Sequence, residues 1–312
     1  METTLRPLRL GELLDRCFRC YRNYFWLFVG ILAIPMAILA AAGVVYQSVI
    51  WFSSGTPGRP LRFDSALPLV VVGLYIIVVV VVDIAGYAAA QGAATHALSR
   101  VYLGRRSSIA SAYRGLKGRY GALVWLAISI ALRVILFFIP FGIGIAIIAM
   151  GARSSAGLEP IGGIVAVGGA VLGVYLSLPY VLAIPAFVVE DIRPRVAIDR
   201  STVLAQGYRW QLLLISILMG VITWVVAIII TFPFTVITGL AIAHKTGAHP
   251  MAQVVLAGIS PFVKALTAPL FVIGYTMAYY DRRVRQEGLD LDLLIDGMSP
   301  EPDLPPGTSS AS

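Results

Sequence analysis

Charge is what this sequence is short of. Asp, Glu, Lys and Arg make up 13% of it, against about 25% in an ordinary soluble domain, while 58% is hydrophobic and the mean hydropathy is +0.85. A soluble fold has too little interior to hide that much apolar surface, so the composition points to an integral membrane protein. Cysteine is scarce as well. Cys17 and Cys20 are the two in the chain, and a bridge between residues three apart could not staple a fold. There are three histidines. No Ser–His–Asp set, zinc-ligand helix or paired-carboxylate cluster is evident, which argues against hydrolysis and leaves no metal or other cofactor to expect. Also missing is a short apolar core followed by a cleavage site. The first apolar run is too long for a signal peptide and is expected to stay as an uncleaved anchor.

What the chain does have is long apolar runs. A spanning helix needs about 20 mostly apolar residues, and six stretches qualify, at about 24–50, 66–94, 121–150, 161–189, 211–243 and 254–280. The expected fold is all-α: one six-helix transmembrane domain over 1–296, followed by a Pro/Ser-rich cytoplasmic tail, 297–312, too polar and short to fold. Pro35, Pro140, Pro179, Pro185, Pro233, Pro261 and Pro269 lie within or at the ends of these runs. Neighbouring helices can satisfy the backbone groups that a proline frees, so kinked helices are expected rather than broken ones.

The formal net charge of +8 would suggest nucleic acid in a soluble protein. Here most of the 24 Lys and Arg fall before the first run, after the second, after the fourth and after the sixth. Arg59, Arg62, Arg153 and Lys245 occupy the opposite loops, and Arg133 and Lys264 lie inside runs. By the positive-inside rule both termini are cytoplasmic. The charge is therefore topological, and no nucleic-acid partner is expected. The partners expected are membrane lipids, whose anionic headgroups attract each such residue by about 1 kcal/mol near the surface.

The stretch DRCFRCYRNYFWLF, Asp15–Phe28, carries a Cys-x-x-Cys spacing. Leu10, Leu13, Leu14, Cys17, Cys20/Tyr21 and Tyr24 recur every three or four residues, while Arg9, Glu12, Arg16, Arg19 and Asn23 fill the other face. That pattern predicts a basic amphipathic helix on the inner leaflet, with both thiols as small hydrophobes on its apolar stripe. A redox pair would need a βαβ context and a zinc site two further ligands; neither is present in the sequence. Tyr21, Tyr24, Phe25 and Trp26 read as an interfacial aromatic belt.

The same device recurs in SSIASAYRGLKGRYGALVW, Ser107–Trp125, and RPRVAIDRSTVLAQGYRWQLL, Arg193–Leu213. Tyr24, Tyr120 and Tyr208 take similar places. The implied unit is an amphipathic helix, a span, an outer loop and a return span, used three times. Two spans per unit keep every copy in the same orientation, which favours a pseudo-threefold arrangement about the membrane normal. The even-numbered runs also end alike, in Glu190-Asp191 and in Tyr279-Tyr280-Asp281. A cytoplasmic ring is expected in which Glu190, Asp191 and Asp281 pair with Arg16, Arg19, Arg119 and Arg200. The competing reading is solvated charge at headgroup level, worth little.

The segments LRPLRLGELLDRCFRCYRNYF, PAFVVEDIRPRVAIDRS and YYDRRVRQEGLDLDLL resemble a group of bacterial six-span membrane proteins. These are labelled glycerophosphoryl diester phosphodiesterase membrane domain, or domain of unknown function. The label comes from relatives in which a similar membrane region precedes a soluble phosphodiesterase domain. No such domain is evident in this sequence, so the resemblance implies architecture in a bacterial cytoplasmic membrane and carries over no catalytic residue.

Charges inside spans are the default places to look for function. Asp83 and Arg133 each lie about 12 residues from the inner end of a predicted span, roughly 18 Å deep at 1.5 Å per residue. A buried Asp83–Arg133 ion pair is expected. It reads either as a transport or proton-relay centre, with Gln91 and His96 continuing toward the cytoplasm, or as a structural pair that fixes helix register. Lys264 could snorkel outward or face a cavity. His244 and His249, with no nearby carboxylate, make a poor metal site. The glycines of Ile139–Gly151 and Ile161–Gly173 permit close helix packing. The function expected is non-enzymatic: binding or moving a lipid or other amphipathic molecule, or supporting membrane organisation. A secondary transporter and a membrane anchor or scaffold for a partner protein are the alternatives.

Overall fold

The computed structural model describes residues 10–54, 66–102, 104–154, 157–243 and 249–287. The tail 297–312 and the loop residues Arg59, Arg62 and Lys245 lie outside the described residues. Every described element is helical. In chain order they are α1 (Leu10–Asn23), α2 (Phe25–Ser54), α3 (Ala66–Val81), a π-turn (Val82–Gly86), α4 (Tyr87–Tyr102), α5 (Ile109–Arg114), α6 (Tyr120–Phe137), α7 (Ile139–Ser154), α8 (Glu159–Ser177), a 3-10 turn (Leu178–Leu182), α9 (Ala183–Val189), α10 (Pro194–Ala205), α11 (Arg209–Ala243) and α12 (His249–Glu287). Six stretches are long and apolar enough to cross a membrane: Phe25–Val49, Val72–Tyr102, Tyr120–Phe137, Glu159–Val189, Arg209–Leu240 and Val254–Glu287.

Three of these differ from the sequence expectation. The second runs on to Tyr102 and includes the π-turn, whose Gly86 packs on Pro35: a Cβ there would come within 3.0 Å of the proline ring. The third stops at Phe137, and α7 is a separate, shorter apolar helix. Pro140 has no N–H for the Leu136 carbonyl, and the Phe138 N–H closes the turn on Val134 and Ile135 instead, both at 3.1 Å. The fourth is interrupted by the 3-10 turn at Pro179. By contrast Pro35, Pro233, Pro261 and Pro269 sit inside continuous helices.

The short helices α1, α5 and α10 precede the first, third and fifth spans. A capping box between Ser108 and Ser111 starts α5, satisfying N–H groups that the first turn leaves open. Gly118 and Gly207 turn the chain into α6 and α11 at φ of 86° and 71°, a left-handed conformation in which a side chain is strained. Each short helix is clipped to the bundle by a hydroxyl: Tyr21 of α1 to the Leu266 carbonyl at 2.7 Å, Tyr113 of α5 to the Ile31 carbonyl at 2.8 Å, and Ser201 of α10 to the Pro179 carbonyl.

The core lies where α12 meets α2, α4, α9, α10 and α11. Half of the spanning window of Val254–Glu287 and 44% of that of Phe25–Val49 are buried, against 11% for Tyr120–Phe137 and for Arg209–Leu240. Thus α2 and α12 are central and the other spans present side chains outward. Trp26, Trp125 and Trp210, within the first two turns of α2, α6 and α11, are exposed, as interfacial tryptophans are. Lipid tails are as apolar as leucine, so the helices are held by close packing and hydrogen bonds rather than by escape from water. The pair α7 and α8 shows the first. A Cβ on Gly144 would sit 2.3 Å from the Ala166 nitrogen, and one on Gly169 would sit 2.4 Å from the Phe141 nitrogen. Gly144→Ala and Gly169→Ala are therefore expected to lower stability by about 1–3 kcal/mol each. Gly168→Ala, with no atom within 4 Å of the added carbon, is expected to be neutral in the same thermal unfolding experiment in detergent.

Candidate functional site

Two places stand out, a charged belt at one end of the bundle and a cleft in the other half. The belt forms where α4 and α9 end, α6 and α11 begin and α12 runs out of its apolar stretch. Glu190 is its centre. Its carboxylate accepts from Arg200 Nε at 3.1 Å and from the Tyr279 hydroxyl at 2.6 Å, with Arg283 Nε 3.8 Å away. Glu287 bridges Arg200 and Arg283, the latter at 3.0 Å. Burial opposes the charge on Arg200, but hydrogen bonds to Glu287 and Glu190 outweigh it and raise its pKa. Asp281 is buried. It accepts from Arg285 at 2.8 Å and from the Tyr208 hydroxyl at 3.2 Å. Burial and the Asp281 carboxylate hold the Tyr208 phenol well above its ordinary value, so it stays a donor. Arg282 caps the end of α10 through the Leu204 and Gln206 carbonyls at 2.9 and 2.8 Å, with its guanidinium 4.8 Å from the Tyr208 ring.

The other predicted members are placed one by one. Arg119 pairs with Asp191, donates to the Ile192 carbonyl at 3.1 Å and lies 4.3 Å over the Phe187 ring, tying the start of α6 to the end of α9. Asp191 has φ 56°, a left-handed value that Asp tolerates at a helix end. Arg16 differs from the expectation: among the described residues its partner is the Tyr102 hydroxyl rather than an acid, and the Tyr102 ring stacks on Tyr280 at 5.2 Å beside Asp281. Arg19 differs from the expectation: its partner is Asp15, one turn back on the same exposed helix face. The reach of one helical turn is shorter than the reach to the belt, and the local acid wins. Sequence reasoning missed the tyrosines Tyr102, Tyr208 and Tyr279 and the pair Arg283–Glu287. Tyr279 and Arg283 had a signal in their closeness to Asp281 in sequence, Tyr208 only its place in the repeat, and Tyr102 none.

Cys17 and Cys20 are free and buried, and the Cys17 thiol lies 3.4 Å from the Met277 sulfur. Burial pushes the Cys20 thiol up to about 12, and burial with its neighbour Cys20 raises Cys17 as well.

For the intramembrane pair, the side chain of Asp83 lies outside the described residues. Its backbone belongs to the π-turn, and with the helix continuing to Tyr102 it stands about 28 Å along the axis from that end, deeper than the sequence reading placed it. Arg133 is exposed. It donates to the Ser129 carbonyl at 2.8 Å, and its guanidinium is 6.0 Å from the Tyr180 ring. Gln91 and His96 do not converge. Gln91 lines a cavity of about 40 Å³ with Thr95 and Thr276, while the His96 ring lies against Gly115, the residue that follows α5.

The cleft, of about 270 Å³, is walled by Met36 of α2, Tyr87 of α4, Thr223 of α11 and Lys264, Thr267, Ala268 and Phe271 of α12. The α12 residues are spaced i, i+3, i+4, i+7, one face of a helix. A larger hollow of about 590 Å³ at the elbow between α1 and α2 is lined by the consecutive residues Tyr21–Leu27, and one strip of chain supplies no opposing wall.

The fold and these two places define a multi-pass α-helical membrane protein. No family model, curated protein or solved structure matches the chain.

Removing the belt's central acid leaves the Tyr279 hydroxyl without its acceptor and leaves Arg200 and Arg283 to share Glu287 alone. Glu190→Ala is expected to cost about 2–3 kcal/mol, the scale of hydrogen bonds to a charged group, whereas Arg19→Ala should change thermal stability by less than about 0.5 kcal/mol. The thiols give a separate expectation. An exposed cysteine reacts faster with maleimide as pH rises from 7 to 9, because its thiolate fraction grows. Cys17 and Cys20 should stay unreactive across that range in the folded protein and label only after denaturation.

Proposed function

We propose that this protein binds a lipid or another amphipathic molecule within its bundle, and either holds it there or moves it, without catalysing a reaction on it. The observation that carries this reading is the cleft. It lies at membrane depth, four of the spans supply its walls, and most of the surface that lines it is apolar, with Met36, Ala268 and Phe271 beside the polar Lys264, Thr223 and Thr267. Pockets for small molecules are concave and mostly apolar with few polar groups, and in the lipid phase the molecules at hand are amphipaths.

The protein sits in a bacterial cytoplasmic membrane with both termini inside, because arginine is concentrated on the belt side. The outer arginines of that side contact anionic headgroups. Three units of short helix and two spans make up the chain. The clips by Tyr21, Tyr113 and Ser201 and the glycine elbows before α6 and α11 support that reading. The architecture is that of the six-span phosphodiesterase-associated membrane domains.

Native mass spectrometry of the protein extracted with its surrounding lipid tests the binding. A defined amphipath retained at one per chain is expected, and Phe271→Trp, which fills the cleft, should reduce its retention at least about tenfold. A protein that emerges bare, or with the bulk lipid mixture in proportion, would overturn the reading.

A further inference from the structure

We infer that the cleft selects an anionic amphipath, with Lys264 holding the headgroup at its mouth, Thr223 adding a hydrogen bond, and an acyl chain running inward over Phe271. This rests on the proposed lipid binding and adds the charge class of the ligand. Three observations carry it.

The first is an unneutralised cation. Lys264 is exposed on the cleft and makes no ion pair among the described residues. The belt cations Arg16, Arg119, Arg200, Arg282, Arg283 and Arg285, by contrast, all have protein partners. An ammonium in the hydrocarbon half of a bundle needs an anion or a route to the interface.

The second is an orphaned hydroxyl on the facing helix. Thr223 Oγ1 is buried with no hydrogen-bond partner in the structure. Elsewhere on α11 and α12 the threonine hydroxyls close on their own helix: Thr231 on the Ala227 carbonyl at 2.7 Å, Thr238 on Phe234 at 2.8 Å, Thr267 on Val263 at 3.0 Å and Thr276 on Val272 at 2.7 Å. Thr223 departs from that habit at the one of these positions that shares the cleft with Lys264 but lies on the opposite wall.

The third is polarity along the axis. Counting at 1.5 Å per residue, Lys264 stands about 25 Å from Asp281 in the belt and about 15 Å inside the start of the span at Val254, within the apolar depth and nearer the boundary away from the belt. Helical side chains lean toward the N-terminus, which carries the ammonium further toward that boundary. Ala268 and Phe271 lie one and two turns deeper on the same face. The order from the surface inward is thus cation, hydroxyl, apolar wall, which is the order of a lipid's headgroup and chain.

A pair of photoactivatable lipids tests this, identical in a diazirine-bearing acyl chain and differing in headgroup: phosphatidylglycerol, anionic, and phosphatidylcholine, zwitterionic. The full chain in vesicles should be crosslinked at Met36 or Phe271 about five- to tenfold more by the anionic probe. Lys264→Gln should remove that preference while leaving labelling by the zwitterionic probe, Lys264→Arg should retain it, and Thr223→Val should weaken it. Excess inorganic phosphate should not compete. Equal labelling by the two probes in the unaltered protein would overturn the charge selection and leave lipid binding standing. So would a preference that Lys264→Gln does not change. Labelling by neither probe at these residues would sink both, and competition by inorganic phosphate would show a free anion as the ligand. A gel-filtration profile unchanged from the parent protein admits each variant, and Lys264→Arg covers a Lys264→Gln that does not fold.

Discussion

Two carboxylates withdrawn from solvent set the terms for this bundle. Glu190 and Asp281 sit where spans meet water, half-buried and buried respectively. A desolvated acid without partners costs several kcal/mol. Each is therefore surrounded: Glu190 by Arg200, Arg283 and Tyr279, Asp281 by Tyr208 and Arg285. Those partners come from α10, the elbow before α11, and α12. Arg119 and Arg16 bring in α6 and α1 through Asp191 and Tyr102. Satisfying the acids thus fixes where helices distant in sequence must end. Pairs of this kind are weak sources of net stability and stronger sources of specific placement, and placement is what a bundle lacking a hydrophobic drive between its helices requires.

The far half is built differently. Near the belt α11 is pinned to α12 by buried Leu212, Ile215 and Met219 and by the Ser216–Tyr275 hydroxyl contact at 3.0 Å. Beyond Gly220 its residues are mostly exposed or half-exposed. The cleft opens where that contact thins, with Thr223 on one wall and Lys264 on the other. Phe271 lines both this cleft and the small cavity of Gln91, Thr95 and Thr276. One aromatic ring therefore lies between the two hollows.

Much of the fold was legible in the sequence, because run length and arginine placement are strong signals that do not depend on tertiary detail. Helix breaks were less so. Pro35 and Pro140 look alike in sequence, yet one sits in an unbroken helix and the other follows an interruption at Phe138. The difference lies in what neighbours offer the freed carbonyl, which no local pattern encodes. In the belt, the acids and Arg119 and Arg200 were readable because charge at a span end is conspicuous. Arg19 was misassigned because a nearby acid on its own helix competes with distant ones, and the tyrosines were missed because their hydroxyls matter only once a carboxylate is placed against them. Lys264 was visible, but Thr223 could not be singled out: its significance is that its hydroxyl stays unpaired while comparable threonines bond their own helix.

A cleft between spans can admit a lipid only if its walls are not themselves held by polar bonds across it. Here the polar bonds gather at the belt, one end of α12; toward the cleft the Tyr21 hydroxyl still ties α1 to the Leu266 carbonyl, but beyond the Ser216–Tyr275 contact no hydrogen bond among the described residues joins the α11 wall to the α12 wall. Pro261 and Pro269 flank Lys264 within α12, and Pro233 interrupts the ladder of α11 two to three turns beyond Thr223. Each removes a backbone hydrogen bond from its helix, Pro261 and Pro233 on the side of the cleft away from the belt and Pro269 on the belt side. Firm anchorage at one end and sparse contact at the other are what the proposed binding would require: walls that part without disturbing the charge pairs that define the bundle. Lys264, on one of those walls, is the cation that the proposed anionic headgroup would meet.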